Sequence, residues 1–532
     1  MTNTELTFQN FVIYSALLAL GWRLLKLFAR HPFDNLPGPP SPSILSGNIK
    51  QTRTWAFHQN IAETYGHVVK YRGLGNQAQL WVSDPKALHY IVVKEQDAYD
   101  IPTHTVKVLL GEGLLGTLGA HHRKQRKMLN PVFSPRHLQE MVPAFHRVSH
   151  KLREAILSKV TSGPQEIDML HWLGRTALEL IGQGGLGYSF DNLDDGPAHP
   201  YSLSIKQFIP TLLRLPVLSR LLPYVSGLGS PAFRRAFVKL VPFADVQSLR
   251  RMADMMEKTS QEIVRAKESS SLVAGEKAGG GKDIMSILLK ANTAAAEEDR
   301  LPDAEVIAQV STLVFAATDT TSSALSRILH LLAQHPEAQG RLRDEIRAAR
   351  GQDGDLDYKQ LDALQYLDAV IRETVRLYSP IPFVNRIANK DTVLPFSQPV
   401  AGIDGTDIRE IAVPKGTVVT VAIMRANRDP AIWGADAQEW KPERWLAASP
   451  DKVANVHFPG VYSNMMTFGG GNRACIGFKF SLLEMKVLLC VLLESFAFDL
   501  SDKDIVWNLW AVVGPSVKGD GKPQLPLIVS KV

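Results

Sequence analysis

The chain has 532 residues, a formal net charge of +6, 45% hydrophobic residues and two cysteines. Two cysteines exclude a disulfide-stapled secreted scaffold and any all-cysteine metal site. The basic residues are scattered rather than gathered into a stripe with interleaved aromatics, which argues against a nucleic-acid partner and fits a face for an acidic protein or an anionic membrane better.

Length by itself suggests about three domains. The only clear change of regime lies near the N-terminus, so the expected organisation is a segment 1–35 followed by one large domain, 36–532. Phe11 to Trp22 is apolar or small apart from Ser15, and Leu24, Leu25, Leu27 and Phe28 extend the pattern past Arg23 and Lys26. From Phe8 to Phe28 the span is long enough to cross a bilayer, with the two basic side chains snorkelling to the headgroups. Arg23, Lys26 and Arg30 follow the run, which places the N-terminus outside and the body in the cytosol. A cleaved signal peptide wants its basic residues before the run. The expectation is therefore an uncleaved single-pass anchor, with an amphipathic helix in the interface as the other reading. Leu36-Pro37-Gly38-Pro39-Pro40 then forms a stiff connector that cannot continue a helix.

The body is helix-rich, with short strand-like stretches at His67–Tyr71, Gln79–Val82 and Thr417–Ala422, giving a mainly α fold with small β-sheets. His122 and Arg126 are four residues apart and share a helical face. Phe208–Val241, rich in Leu, Pro and Phe, reads as core or as a membrane-dipping lip, with core favoured. Ser269–Asp283 reads as a surface loop. Asp303–Gln334 carries apolar or small residues three, four and seven apart and predicts one long helix, opened by Pro302 at a first-turn position. Thr318, Asp319, Thr320 and Thr321 are poor helix-interior residues within it. Since the apolar period runs through them, a local distortion is expected, with Ala316 and Thr320 on one face. Leu361–Tyr378 is a second helix, stopped by Pro380. Its Glu373 and Arg376 form an i,i+3 pair that alone is commonplace.

The most informative stretch is Phe468-Gly469-Gly470-Gly471-Asn472-Arg473-Ala474-Cys475-Ile476-Gly477. Glycines let the backbone turn tightly and approach a flat partner. Beyond Cys475 the pattern turns helical through Phe480, Leu483 and Val487, so the sulfur sits at a helix start, where amide donors and the dipole favour thiolate. Such a thiolate is a nucleophile or a metal ligand. Cys490, in an apolar helix, reads as a buried core thiol.

This stretch resembles the haem-binding loop of the cytochrome P450 family, F-x-x-G-x-R-x-C-x-G. Five fixed positions would arise by chance in about one chain of this length in ten thousand. The resemblance implies the cytochrome P450 fold, a single haem domain, haem b with Cys475 as axial iron ligand, Arg473 on a haem propionate, and Phe468 and Gly477 around the sulfur. Trp440-Lys441-Pro442-Glu443-Arg444-Trp445 is similar to the family's P-E-R-F element and implies a buried structural network of Glu373, Arg376 and Arg444. Ala316-Ala317-Thr318-Asp319-Thr320-Thr321 resembles A-G-x-D-T-T, in which Asp319 and Thr320 would manage protons during oxygen activation. Ala317 departs from the usual glycine. His122 stands where the family often has tryptophan in W-x-x-x-R, and Arg126 and Arg386 are the further propionate partners implied. By the same resemblance Ala316, Phe383, Val384 and the Ile101–Leu115 loop line a hydrophobic substrate pocket.

Carried over as a whole, the resemblance implies a monooxygenase of the endoplasmic reticulum membrane, with fungal secondary-metabolite enzymes as the nearest likeness. Its partners would be an NADPH-dependent cytochrome P450 reductase, with cytochrome b5 as a further electron donor, and its substrate a hydrophobic, terpenoid-like small molecule. A reductase-independent isomerase or dehydratase and a non-catalytic haem sensor are the rivals. The intact Asp319–Thr320 pair speaks against both.

Overall fold

Asp303–Gln334 forms one helix with the bounds that periodicity predicts; Pro302 stands at its cap, one residue before the first turn. In the computed structural model, residue 14 and residues 31–215, 221–222, 224–274, 283–351, 354–446 and 458–532 are described. The anchor expected over residues 1–35 lies outside these up to residue 30, Tyr14 apart. No helix among the described residues is long and apolar enough to cross a membrane.

The long helix is buried on several sides, as a core element rather than a surface one. Helices Met169–Leu180, Ala244–Ala274 and Phe478–Ser495 pack on it. The distortion expected around Asp319 is absent. The Thr318 and Thr320 hydroxyls donate to the carbonyls of Val314 and Ala316, at 2.8 and 2.7 Å, and so find acceptors one turn back without opening the helix.

The second expected helix is divided. Tyr358–Ala363 and Gln365–Leu377 are separate, with Leu364 at φ −71° and ψ 97° between them. The carboxylate of Glu345 accepts from the amides of Tyr366 and Leu367, at 2.7 and 2.8 Å, and starts the second helix afresh. No local signal in 361–378 encodes that partner, which comes from another helix, Pro336–Arg350.

The three expected strands appear as Val68–Arg72, Ala78–Val82 and Val418–Val421. They belong to a five-stranded sheet completed by Val384–Ala388 and the two-residue strand Tyr99–Asp100. Val68–Arg72 pairs antiparallel with Ala78–Val82, which runs parallel to Val418–Val421. Phe33 and Leu36 are fully buried in the core beside this sheet, and the Lys70 amide donates to the Pro37 carbonyl at 3.1 Å. The proline-rich connector is therefore docked on the body.

Two expectations are corrected. Ser269–Ala274 continues the helix Ala244–Ala274, and Asp283 caps the helix Ile284–Ala294, so both ends of the expected loop are helical; residues 275–282 lie outside the described residues. The core reading of Phe208–Val241 holds for Phe208, which packs edge-on against Phe315 of the long helix. It fails farther on: Tyr224, Leu228, Phe233, Phe237 and Leu240 are exposed, Leu240 to 80%. Low charge is shared by core and by surfaces that face something other than water, and only packing separates the two.

Candidate active site

The cysteine loop is held from behind by backbone hydrogen bonds. Strand Met465–Gly470 leads into a single turn over Gly471–Arg473, and the Cys475 amide donates to the Phe468 carbonyl at 2.8 Å. Gly471 has φ +62°, and a Cβ there would lie 1.8 Å from the Val92 carbonyl oxygen, so only glycine fits this close approach. Gly477 caps the helix Phe478–Ser495, with Cys475 just before it. The Phe468 ring sits edge-on to Tyr462 and tilted against Phe478.

Cys475 keeps exposed surface beside buried Ala474, in a recess dense enough to desolvate a charge. Burial pushes its thiol up, while the Gly477 amide and the Arg126 guanidinium pull the other way. The helix-start donors expected from the sequence are thus present but outweighed. Cys490 is buried as read, and burial pushes its thiol up.

Four basic side chains from three segments converge at the loop: His122 and Arg126 from the helix Gly119–Leu129, Arg386 from the strand Val384–Ala388, and Arg473 from the loop itself. Arg126 donates to the Ala474 carbonyl at 2.7 Å and Arg473 to the Thr117 carbonyl at 2.7 Å. Arg386 is buried on its strand, with only the neighbouring Asn385 carbonyl as an acceptor, at 3.1 Å. Burial lowers all three, Arg473 and Arg386 to about 10, and Arg473 adds to the depression at Arg386. Asp100 opposes this at Arg473, and Cys475 opposes it at Arg126. His122 is buried among them and held down to about 3 by burial, then by Arg473 and Arg126, so it is a neutral imidazole at physiological pH. Three guanidiniums, Arg386 buried and Arg126 and Arg473 half-buried, without an acid in ion-pair contact among the described residues form a site for an anionic ligand.

The expected network of Glu373, Arg376 and Arg444 is assembled and larger than read. Arg376 grips Glu373 with two bonds, Nε to Oε2 at 2.9 Å and Nη2 to Oε1 at 2.7 Å, and also donates to the Asn427 and Ala437 carbonyls. Arg444 reaches Glu373 at 3.4 Å and Asp436 at 2.9 Å. The Trp445 indole donates to Glu373 Oε2 at 2.9 Å, and the Trp433 ring lies 4.9 Å from the Arg376 guanidinium. Trp433, Asp436 and Trp445 carry no motif signal of their own beyond their closeness to Pro442-Glu443-Arg444.

On the long helix, Ala316 is exposed among largely buried neighbours, which marks an opening against its middle. Ala317 is partly buried and packs on the main core, so its methyl is accommodated with the helix unbroken. The Ile101–Leu115 segment contains a short helix, His104–Leu110, and then lies close against the long helix. The Leu114 amide donates to Gln309 Oε1 at 3.0 Å, and a Cβ on Gly113 would meet the Thr312 hydroxyl at 2.3 Å. Phe383, expected at the substrate pocket, makes its ring contact elsewhere. Its ring stacks on His58 at 4.6 Å and lines a separate small cavity with Tyr71, Trp81 and Thr420, while Val384 begins the neighbouring strand.

Asp319 faces a cavity of about 30 Å³, room for a water or two, lined also by Lys206, Ser323, Trp510 and Val513. Burial pushes its carboxyl up to about 6, opposed by the Lys206 ammonium. Lys206 comes from the helix Pro200–Leu213 and donates to the Leu170 carbonyl at 3.2 Å. Burial lowers it, and Asp319 and then Asp168 oppose that. A Cβ on Gly174 would lie 2.5 Å from the Lys206 ammonium. Sequence reasoning missed Lys206, since a lone lysine in an apolar helix has no motif; the low charge of its surroundings was the available signal. Lys486, on the helix after Cys475, is buried and paired with Asp368 at 3.1 Å.

Glu484, on the helix after Cys475, is fully buried with neither oxygen hydrogen-bonded among the described residues. Burial pushes its carboxyl well above the ordinary 4.5, with the Thr321 hydroxyl as the opposing influence. A carboxyl raised on folding takes up its proton more tightly in the native state, so native stability falls as pH rises above 4.5. Glu484→Gln is therefore expected to match the parent in Tm near pH 5 and to exceed it by several degrees at pH 8. Equal melting at both pH values would contradict a buried ionisable group.

The chain matches the description of the family Cytochrome P450 over residues 37–513. A cytochrome P450 monooxygenase of Postia placenta is 49% identical over 520 residues, 96% of each chain. A second from the same fungus is 50% identical over 529 residues, 96% of this chain and 97% of the relative. The ganoderic acid synthetase of Ganoderma lucidum is 43% identical over 523 residues, 95% of each chain.

Proposed function

The chain belongs to the cytochrome P450 family, and on that premise we propose that Cys475 holds the iron of haem b in a monooxygenase acting on a hydrophobic, terpenoid-like small molecule of secondary metabolism. The family implies a haem bound through a cysteine thiolate. The observation that carries the assignment to this loop is the convergence of Arg126, Arg386 and Arg473 beside Cys475 with no acid paired to them among the described residues. The two propionates of a haem are the dianion such a group fits, and the exposed Cys475 and Ala316 leave surface for its flat faces. A similar relative named for ganoderic acid synthesis supports the terpenoid-like substrate.

Bound haem supplies the activation of dioxygen, with electrons delivered one at a time. The residues of the chain bind, orient and protonate. Arg126, Arg386 and Arg473 would hold the propionates as charged donors, and His122 as a neutral one. Phe468 fixes the Cys475 amide through its carbonyl, and Gly471 allows the loop its close turn. The Glu373–Arg376–Arg444 network clamps the loop's surroundings. Thr320 donates to Ala316, which leaves its oxygen to accept a bond from the opening, and Asp319 exchanges protons with water in the cavity it shares with Lys206. The apolar surface around Ala316 and the 101–115 segment excludes water from the substrate.

Residues 1–35 act as a single-pass anchor in the endoplasmic reticulum membrane, and residues 36–532 as the cytosolic catalytic domain. The exposed Phe233, Phe237 and Leu240, interleaved with Arg234, Arg235 and Lys239 on the helix Pro231–Leu240, support a body that also touches the membrane surface. Electrons come from an NADPH-dependent cytochrome P450 reductase, with cytochrome b5 as a second donor.

The reduced carbon-monoxide spectrum tests the assignment. The parent is expected to show the red-shifted Soret band of thiolate ligation, Cys475→Ala to lose it, and Cys490→Ala to keep it. A band that survives in Cys475→Ala removes the proposal. Incubation with reductase, NADPH and lipophilic substrates then separates a monooxygenase from an isomerase, which needs no NADPH, and from a sensor, which forms no product.

A further inference from the structure

His146 and His150 lie one turn apart on the helix Pro135–Val160, their rings 6.0 Å apart and 26° from parallel. Opposite them is Asp355, five residues beyond the end of the helix Pro336–Arg350. His146 is 5% exposed, and its Nε2 lies 2.9 Å from the Leu356 carbonyl. A carbonyl only accepts, so Nε2 carries the proton and Nδ1 is a bare lone pair. Burial holds His146 below its ordinary value, which keeps the ring neutral.

That lone pair is buried, has no hydrogen-bond partner among the described residues, and lies 3.6 Å from Asp355 Oδ1. Two acceptors facing one another without a proton between them repel. A cation between them reverses the sign. His150 Nε2 lies 2.8 Å from Asp355 Oδ1 and 3.0 Å from Oδ2. Its Nδ1 also lacks a partner, so moving its proton from Nε2 to Nδ1 sacrifices only the bond to Asp355 that a metal would replace. One ligand atom from each of the three residues lies within 4.8 Å of the other two, so small side-chain rotations bring them to the roughly 3.4 Å separation of donors about a tetrahedral ion with bonds of roughly 2.0–2.2 Å. The Leu356 carbonyl would act as the outer partner that orients a metal-bound imidazole. Arg350, whose charge acts on His146, is turned to Glu494 and to the Gly354 carbonyl.

We propose that His146, His150 and Asp355 bind one divalent cation of borderline softness, Zn²⁺ being the best match to two imidazoles and a carboxylate, with water completing the shell. The ion would staple the segment at 355 to the helix Pro135–Val160, which packs on the helix following Cys475. None of the three residues belongs to the cysteine site, so the proposal stands apart from the function above.

The test is titration of the full-length protein with Zn²⁺ at pH 7.5, read by calorimetry and by Tm. One equivalent is expected to bind and to raise Tm, because an ion that binds only the folded chain stabilises it. His150→Ala and Asp355→Asn, both at partly exposed positions, are each expected to weaken binding at least about tenfold while melting like the parent without metal. His146→Ala is expected to weaken it as much; because this residue is buried, the other two variants carry the decision. Absence of binding at one equivalent, or unchanged binding in both His150→Ala and Asp355→Asn, overturns the site.

Discussion

Glu373→Ala is expected to destabilise the protein by about 3–5 kcal/mol, the cost of breaking a buried ion network on one side. Glu373 has no exposed surface and accepts from Arg376 twice, from the Trp445 indole, from the Lys441 amide and from Arg444. Removing the carboxylate leaves the buried charge of Arg376 facing only carbonyls and an indole donor with no acceptor. Neither deficit can be relieved by water, since Arg376 is itself fully buried. Arg444→Lys should cost less: the charge remains, and what is lost is the fork that also binds Asp436 and the Trp433 carbonyl. Chemical denaturation and the yield of haem-loaded protein measure both. Stability within about 1 kcal/mol of the parent in Glu373→Ala would mean that the network is ornamental.

Asp319→Asn is expected to lower product formation about a hundredfold, within the range of general acid–base contributions, while the spectral response to substrate binding persists. The carboxyl titrates near 6 because burial disfavours its charge more than Lys206 favours it. The sign for stability follows. Folding raises this carboxyl from 3.8 to about 6, so its penalty on the folded state is absent below 3.8 and complete above about 6. Lys206→Met deletes the opposing cation and should move the Asp319-linked inflection in the pH profile of product formed per NADPH above 6; Lys206→Arg should hold it in place. Asp168 also faces Lys206, so the Asp168→Asn variant is the control for the rest of the local charge. An inflection that stays put in Lys206→Met would show that the lysine merely fills the cavity. A merely structural lysine would change yield and Tm without moving the profile.

How far the sequence reaches is visible in individual residues. The long helix needs only the spacing of its own apolar residues, and its bounds were readable to the residue. The cysteine loop is equally local: Gly471, Arg473, Cys475 and Gly477 act within a few residues of one another. The split at Leu364 was not readable, because the carboxylate that causes it belongs to Glu345 on a different helix. Likewise a hydroxyl-rich stretch suggested a distorted helix, while tertiary burial kept the helix whole and left Thr318 and Thr320 to bond their own preceding turn.

The sequence by itself determined the family, the mainly α class, the cysteine loop and the order of its supporting motifs, because each of these is written in short-range spacing. Only the tertiary structure decided what surrounds them. Arg126, Arg386 and Arg473 come from three distant segments, and their meaning lies in converging on one place with no acid in ion-pair contact among the described residues. Lys206 meets Asp319, and His146 and His150 meet Asp355, across helices whose separation along the chain hides the encounter. The exposed Phe233, Phe237 and Leu240 have the composition of a core and the position of a surface. Charge, desolvation and packing act through space, and a linear chain records them only where space and sequence run together.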